Sequence, residues 1–241
     1  MAEHEVVKHA QKIYKIWNSS DHSLWHKFRE FFIEIVIIVF AVSISVWFHN
    51  LSEKKHAREE SELFLTGLKD DLIKDIEEMK SDTTTYHLQY NFFKNLSDSS
   101  QNLITKTYLD SNRWMFTNST ALIPNISRFE ALKFSGKMNA IENKDLLDEI
   151  INLYEEKIPR LVEIGNGTSD FKNGLINDYF DSRMLYADAY KYKLLDYLKT
   201  DERLRYIFQR AYKTCPYVIA EYKEVIEQNR KLITMIEEDL K

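Results

Sequence analysis

His22 and His26 stand four residues apart, and Glu30 follows one turn later. On a helix these three side chains share a face, an arrangement able to hold a divalent metal or, through a histidine, a haem. A plainer reading fits the same residues. They fall where the chain would meet lipid headgroups, a common place for polar side chains. His49, Glu53 and His56 repeat the pattern beyond the apolar stretch that follows, with the same two readings. Neither trio completes a metal-ligand motif, so no metal and no cofactor are expected. The single cysteine, Cys215, rules out an intramolecular disulfide and any multi-cysteine metal site. Pro216 follows it and no helix N-terminus lowers its pKa, so it reads as a small core residue. The chain has no Gly-rich phosphate loop and no G-x-S-x-G elbow. Its carboxylates are dispersed as solvated helix faces are. No catalytic residue is expected, and the chain does not read as an enzyme.

Glu34 is the one ionisable group that stands inside an apolar run. A carboxylate there faces protein, water or a partner. Three readings remain open: a residue snorkelling to the cytoplasmic interface, a helix–helix contact, or part of a proton or ion path.

The composition narrows the elements that must position these groups. The chain has 241 residues, 33 basic and 38 acidic, for a net charge of −5. That balance gives no electrostatic reason to expect nucleic acid. Five glycines and three prolines are too few for many hairpins, so long helices are favoured. Fourteen tyrosines and fourteen phenylalanines are enough to fill a core.

From Phe31 to Phe48 the chain reads FFIEIVIIVFAVSISVWF, interrupted only by Glu34, Ser43 and Ser45. Counted from Phe28, the stretch reaches about 31 Å as a helix and matches a hydrocarbon core of roughly 30 Å. Trp25 and Trp47 sit near its ends as interfacial anchors. A cleavable leader ending at Ala41-Val42-Ser43 fits less well, because Glu34 breaks the apolar region and the run continues past the site. A buried soluble helix fits less well too, because the stretch keeps no polar face. Lys12, Lys15, Lys27 and Arg29 precede the span, against Lys54, Lys55 and Arg58 after it. This small excess favours a cytoplasmic N-terminus. The expected organisation is a cytoplasmic amphipathic segment over 1–27, a transmembrane helix over 28–49 and an extracytoplasmic α-helical domain over 50–241. Within the span, Glu34, Ile38, Ala41, Ser45 and Phe48 form one stripe, partly small and polar, suited to contact with another helix.

Residues 4–17 carry an apolar face that fits a helix on the membrane surface or against a partner, and Asp21 is placed to cap the next helix. Beyond the span, Leu65, Leu68, Leu72, Ile76 and Met79 recur at coiled-coil spacing. Tyr86, Tyr90, Phe93 and Leu96 extend this seam, which predicts one helix from about 50 to 107. Asp110 to Asn125 reads as a loop in which Trp114, Met115 and Phe116 either tuck onto the helices or form a partner-binding tip. Ser127 and Glu130 read as a capping box, with Gly136 as the left-handed residue that ends the helix. Asn143 or Glu142 opens the next helix, Pro159 is expected to kink it, and Gly165-Asn166-Gly167 breaks or weakens it. Thr200, followed by Asp201 and Glu202, starts the last helix, which Pro216 interrupts. The fold class is therefore all-α: an N-terminal transmembrane helix continuing into a long helix packed in a bundle.

Three segments carry a family resemblance. Glu34-Ile35 opens the span, and Asn50, Ser52-Glu53 and Lys54-Lys55 close it. The others run from Phe64 to Leu72 and from Phe129 to Ile141. Together they resemble a family of uncharacterised single-span membrane proteins of Bacteroidota. That family shows a Glu-Ile entry, a mid-span glycine and an Asn-Asn-Trp-Asn-Glu exit. Here Ala41 holds the glycine position and the exit reads His49-Asn50-Leu51-Ser52-Glu53. The resemblance implies an anchor in the bacterial inner membrane with a helical periplasmic domain, and nothing catalytic. The expected partners are the lipid bilayer and either another protein or a second copy of the chain. The expected role is assembly or accessory support. The alternative is a sensor bundle signalling through a membrane partner that supplies the output.

Overall fold

The structure is a computed structural model. It describes residues 24–98 and 104–241, together with Val7, Gln11, Tyr14 and Lys15. The expectations for the segment 4–17, the Asp21 cap and the His22, His26 and Glu30 side chains lie outside the described residues. Contacts divide the chain into two compact units, residues 1–60 and 61–241. Every regular element among the described residues is helical.

Helix α1 runs from Leu24 to Ser97. Its portion in the first unit is the one described helix long and apolar enough to cross a membrane. From Phe32 to Leu51 nearly all its large apolar side chains are exposed, Phe40 by 66%. Glu34 differs from these neighbours at only 5% exposed. The Ser45 hydroxyl donates to the Ala41 carbonyl of its own helix at 2.9 Å. His49 pairs with Glu53 at 3.2 Å on an exposed face.

In the second unit α1 is followed by α2 (Lys106–Asn112), α3 (Ser127–Ser135), α4 (Lys144–Asn152), α5 (Ile158–Ser182), α6 (Lys193–Thr200) and α7 (Glu202–Asp239). Single 3₁₀ turns occupy Arg113–Phe116 and Met138–Ala140, and a π turn, Leu153–Lys157, joins α4 to α5. Two cores fill the bundle. One is largely aliphatic: Leu65, Leu68, Leu72, Ile76 and Met79 of α1 meet α4, α5 and α7 there. The other is aromatic, with Phe116 ringed by Phe92, Phe93, Phe180 and Phe208.

Helix α7 runs antiparallel to α1. Lys69 pairs with Glu237 at 3.6 Å, the Tyr222 hydroxyl donates to Asp82 at 3.0 Å, and Phe93 packs on Phe208. It also runs antiparallel to α4 and α5, through Glu149–Lys231 at 2.6 Å, Lys157–Glu224 at 2.8 Å and Arg160–Glu221 at 3.1 Å. The charged pairs stand at the rim and add little stability each. Their main value here is to fix the register.

Several boundaries differ from the sequence reading. Helix α1 ends at Ser97, not near 107, and Ser97 turns its hydroxyl back to the Lys94 carbonyl. Thr105 then caps α2, accepting from the Tyr108 N–H at 3.0 Å. The expected loop from Asp110 is helical as far as Phe116. Ser127 is the first residue of α3 and not its cap; no side chain caps that end. Gly136 does end α3 in the left-handed conformation, at φ 71°. Asn143 caps α4 through the Leu146 N–H at 3.2 Å. Pro159 sits in the first turn of α5, directly after the π turn. A widened turn is one way for a helix to carry a residue that lacks an N–H and crowds the carbonyl four places before it. Helix α5 runs unbroken through Gly165 and Gly167, and α7 through Pro216. The cap of α7 is Asp201, one residue after Thr200. Asp201 accepts from the N–H groups of Arg203 and Leu204, while Thr200 closes α6 by donating to the Asp196 carbonyl.

Candidate functional site

Residues 117–126 form an extended strap laid along α1 and α5. On the α1 side the pins descend in order. The Tyr86 hydroxyl donates to the Thr120 carbonyl at 2.5 Å. The Ile123 N–H donates to Glu78 at 2.7 Å. Asn125 gives its N–H and its amide to Asp75 Oδ1 at 3.1 and 2.6 Å. Arg128, at the start of α3, then reaches Asp71 at 2.9 Å. Passing forward along the strap means passing backward along α1, so the two run antiparallel.

The α5 side closes the grip. The Thr120 N–H donates to Ser169 Oγ at 3.1 Å, and the Ser169 hydroxyl donates back to the Thr120 carbonyl at 3.3 Å. A Cβ added at Gly165 would stand 3.1 Å from both Cα and Cβ of Ala121, so this glycine lets the strap backbone approach the helix. Lys172 is only 3% exposed, and its ammonium donates to the carbonyls of Met115 (3.3 Å) and Asn118. Burial lowers its pKa to about 8. Burial likewise pushes the Cys215 thiol up to about 11. A buried thiol held protonated in this way is inert.

A second polar place lies deeper in the aliphatic core. Asp75 is fully buried, and its Oδ2 has no hydrogen-bond partner. The Tyr154 hydroxyl, in the π turn, and both amide atoms of Asn229, on α7, are buried and unpartnered too. Burial raises the Asp75 pKa, the two bonds from Asn125 oppose it, and Glu78 and Asp71 add to it. The Tyr154 pKa is also raised, first by burial and then by the charge of Asp75, which places the two groups in one electrostatic neighbourhood.

Above Tyr154 an apolar cleft of about 460 Å³ opens between α3 and the start of α5. Pro124, Ile126, Phe129, Ile158, Pro159 and Val162 line it, and the Lys133–Glu155 pair spans 2.6 Å between residues of its wall. Phe129 stacks on Tyr154 with ring centroids 4.7 Å apart. Phe134 of the same wall is 82% exposed, and Ile123 on the strap is 79% exposed.

The residues singled out from sequence fall as follows. Glu34, Ile38, Ala41, Ser45 and Phe48 all lie on α1 in the first unit. Glu34 is buried and Ile38 half-buried, whereas Ala41, Ser45 and Phe48 are exposed. Leu65, Leu68, Leu72, Ile76 and Met79 are all buried in the aliphatic core, where this chain's own helices cover them. Met115 and Phe116 tuck into the aromatic core, while Trp114 stays 44% exposed. Asp75, Lys172 and Asn229 were not singled out. The signal was present: each is a polar group on a helix face whose other members are apolar. Compared with protein-family models, curated proteins and solved structures, the chain matches none.

Proposed function

We propose that this chain is a membrane-anchored helical protein of assembly or accessory type, working through contacts with other proteins. One observation carries the reading. Over Phe32 to Leu51, helix α1 exposes nearly all its large apolar side chains, a surface that lipid satisfies and water does not. The resemblance of Glu34 to Glu53 to the Bacteroidota family supports the same anchor, with the N-terminus cytoplasmic and the bundle periplasmic. The contact face within the membrane is the stripe Glu34, Ile38, Ala41, Ser45 and Phe48. The seam from Leu65 to Met79 is occupied inside the bundle, so association falls to this stripe and to exposed surfaces such as the cleft wall at Phe134. The cleft also gives the sensor reading its one supporting observation, since its volume suits a small ligand.

Cross-linking in membranes and co-purification in mild detergent test the proposal on wild type, Glu34→Leu and Ala41→Ile/Ser45→Ile at matched expression. The wild type should retain a protein partner or a second copy that both variants lose. Equal recovery from all three would make the span a plain anchor.

A further inference from the structure

Asp75, Tyr154 and Asn229 come from three different elements, and the helix registers bring them to one level. Asp75 lies midway between Lys69 and Asp82 on α1. Asn229 lies midway between their partners, Glu237 and Tyr222, on α7. Tyr154 falls between Glu149 and Lys157, whose partners Lys231 and Glu224 bracket Asn229. All three side chains are nine-tenths buried or more, yet Asp75 Oδ2, the Tyr154 hydroxyl and both amide atoms of Asn229 have no hydrogen-bond partner. A buried polar atom without a partner destabilises the fold, so four together need an explanation.

We propose that these side chains enclose an internal hydration site, where ordered water donates to Asp75 Oδ2 and Asn229 Oδ1 and accepts from the Tyr154 hydroxyl and Asn229 Nδ2. The choice of guest follows from the chemistry of the walls. A carboxylate oxygen and an amide oxygen ask for donors, whereas a phenol O–H and an amide N–H₂ ask for acceptors. A metal cation serves only the oxygens, and an ammonium ion only donates. Water does both, and in protein interiors it typically makes about three bonds. The strap seals the site from one side, because Asn125 clamps the other oxygen of Asp75. Phe129, stacked on Tyr154, covers a second side. The water is therefore sealed in beneath the strap.

A crystal structure of the full chain in detergent tests this directly. The expected result is a solvent peak about 2.8 Å from at least two of the three groups. Asn229→Leu should lose that peak, and shape-conserving Tyr154→Phe should shift it towards Asp75 and Asn229. Oxygen-17 relaxation dispersion of the same samples in solution should show fewer long-lived waters in Asn229→Leu than in wild type. A direct bond from Asp75 to Tyr154 or Asn229, with no peak between, overturns the proposal. So does an anomalous peak at the site after a thallium soak, which would mark a cation instead.

Discussion

The strap and the deep core each bury polar groups, with different outcomes. Around Thr120, the Tyr86 hydroxyl, the Ser169 hydroxyl and the Lys172 ammonium all find partners, and only Asn173 Oδ1 at the rim is left over. Among Asp75, Tyr154 and Asn229, four atoms are left over. The difference lies in what packs there. An extended strand of backbone brings a donor and an acceptor at every residue, and these are free because it belongs to no helix. Three packed helices have already spent their backbone groups internally, so side chains that meet between them must satisfy one another or take up solvent.

This contrast gives substitutions an expected order of effect. The largest belongs to Ser169→Leu, which overfills the space beside Gly165 and removes two bonds to Thr120. It should cost about 3 kcal/mol. Asn229→Leu, which exchanges an orphaned amide for an apolar side chain of similar size, should stay within about 1 kcal/mol of wild type. Denaturant unfolding of the detergent-solubilised chain, with unchanged slopes, measures both, and equal losses would erase the distinction. A finer pair removes one hydroxyl from each place. Tyr86→Phe should cost about 1 kcal/mol, and Tyr154→Phe roughly half of that or less. The reverse order would show that the Tyr154 hydroxyl is the better bonded of the two.

The smallest effect is a slope with pH. The Lys172 amine sits at about 8 in the folded chain against an ordinary 10.5, because burial disfavours the charged form. Between these values the unfolded chain binds more protons, so this residue makes stability rise with pH across the window. Above pH 10 the buried tyrosines Tyr86, Tyr154 and Tyr222, whose pKa values are raised, turn the trend downward. Melting temperature followed from pH 8 to 10 should therefore climb more steeply in wild type than in Lys172→Met. Identical slopes would mean that the ammonium is in contact with water.

Local chemistry was legible in the sequence, and pairing between elements was not. The seam from Leu65 to Met79, the left-handed turn at Gly136 and the Asn143 cap each depend on a few neighbouring residues, and each appears in the structure. Ser127 failed as a cap although its pattern was right. The strap arrives already pinned, with Asn125 on Asp75 and Arg128 on Asp71, and the helix starts one residue early. Gly165 read as a possible break because a glycine pair weakens a helix, yet it is where the strap backbone comes closest. Asp75 and Asn229 stand where the period reserves a core position. Their orphaned atoms, however, depend on which helices face them, and no local pattern records that.

Cys215 is the chain's only thiol, and it is buried on α7 near Lys172 of α5 with its proton firmly held. An alkylating reagent can reach it only when the bundle opens. The rate at which the intact chain is modified thus becomes a clock for opening, intrinsic to the sequence and needing no engineered probe. Each strap substitution should run that clock faster in proportion to the population it opens.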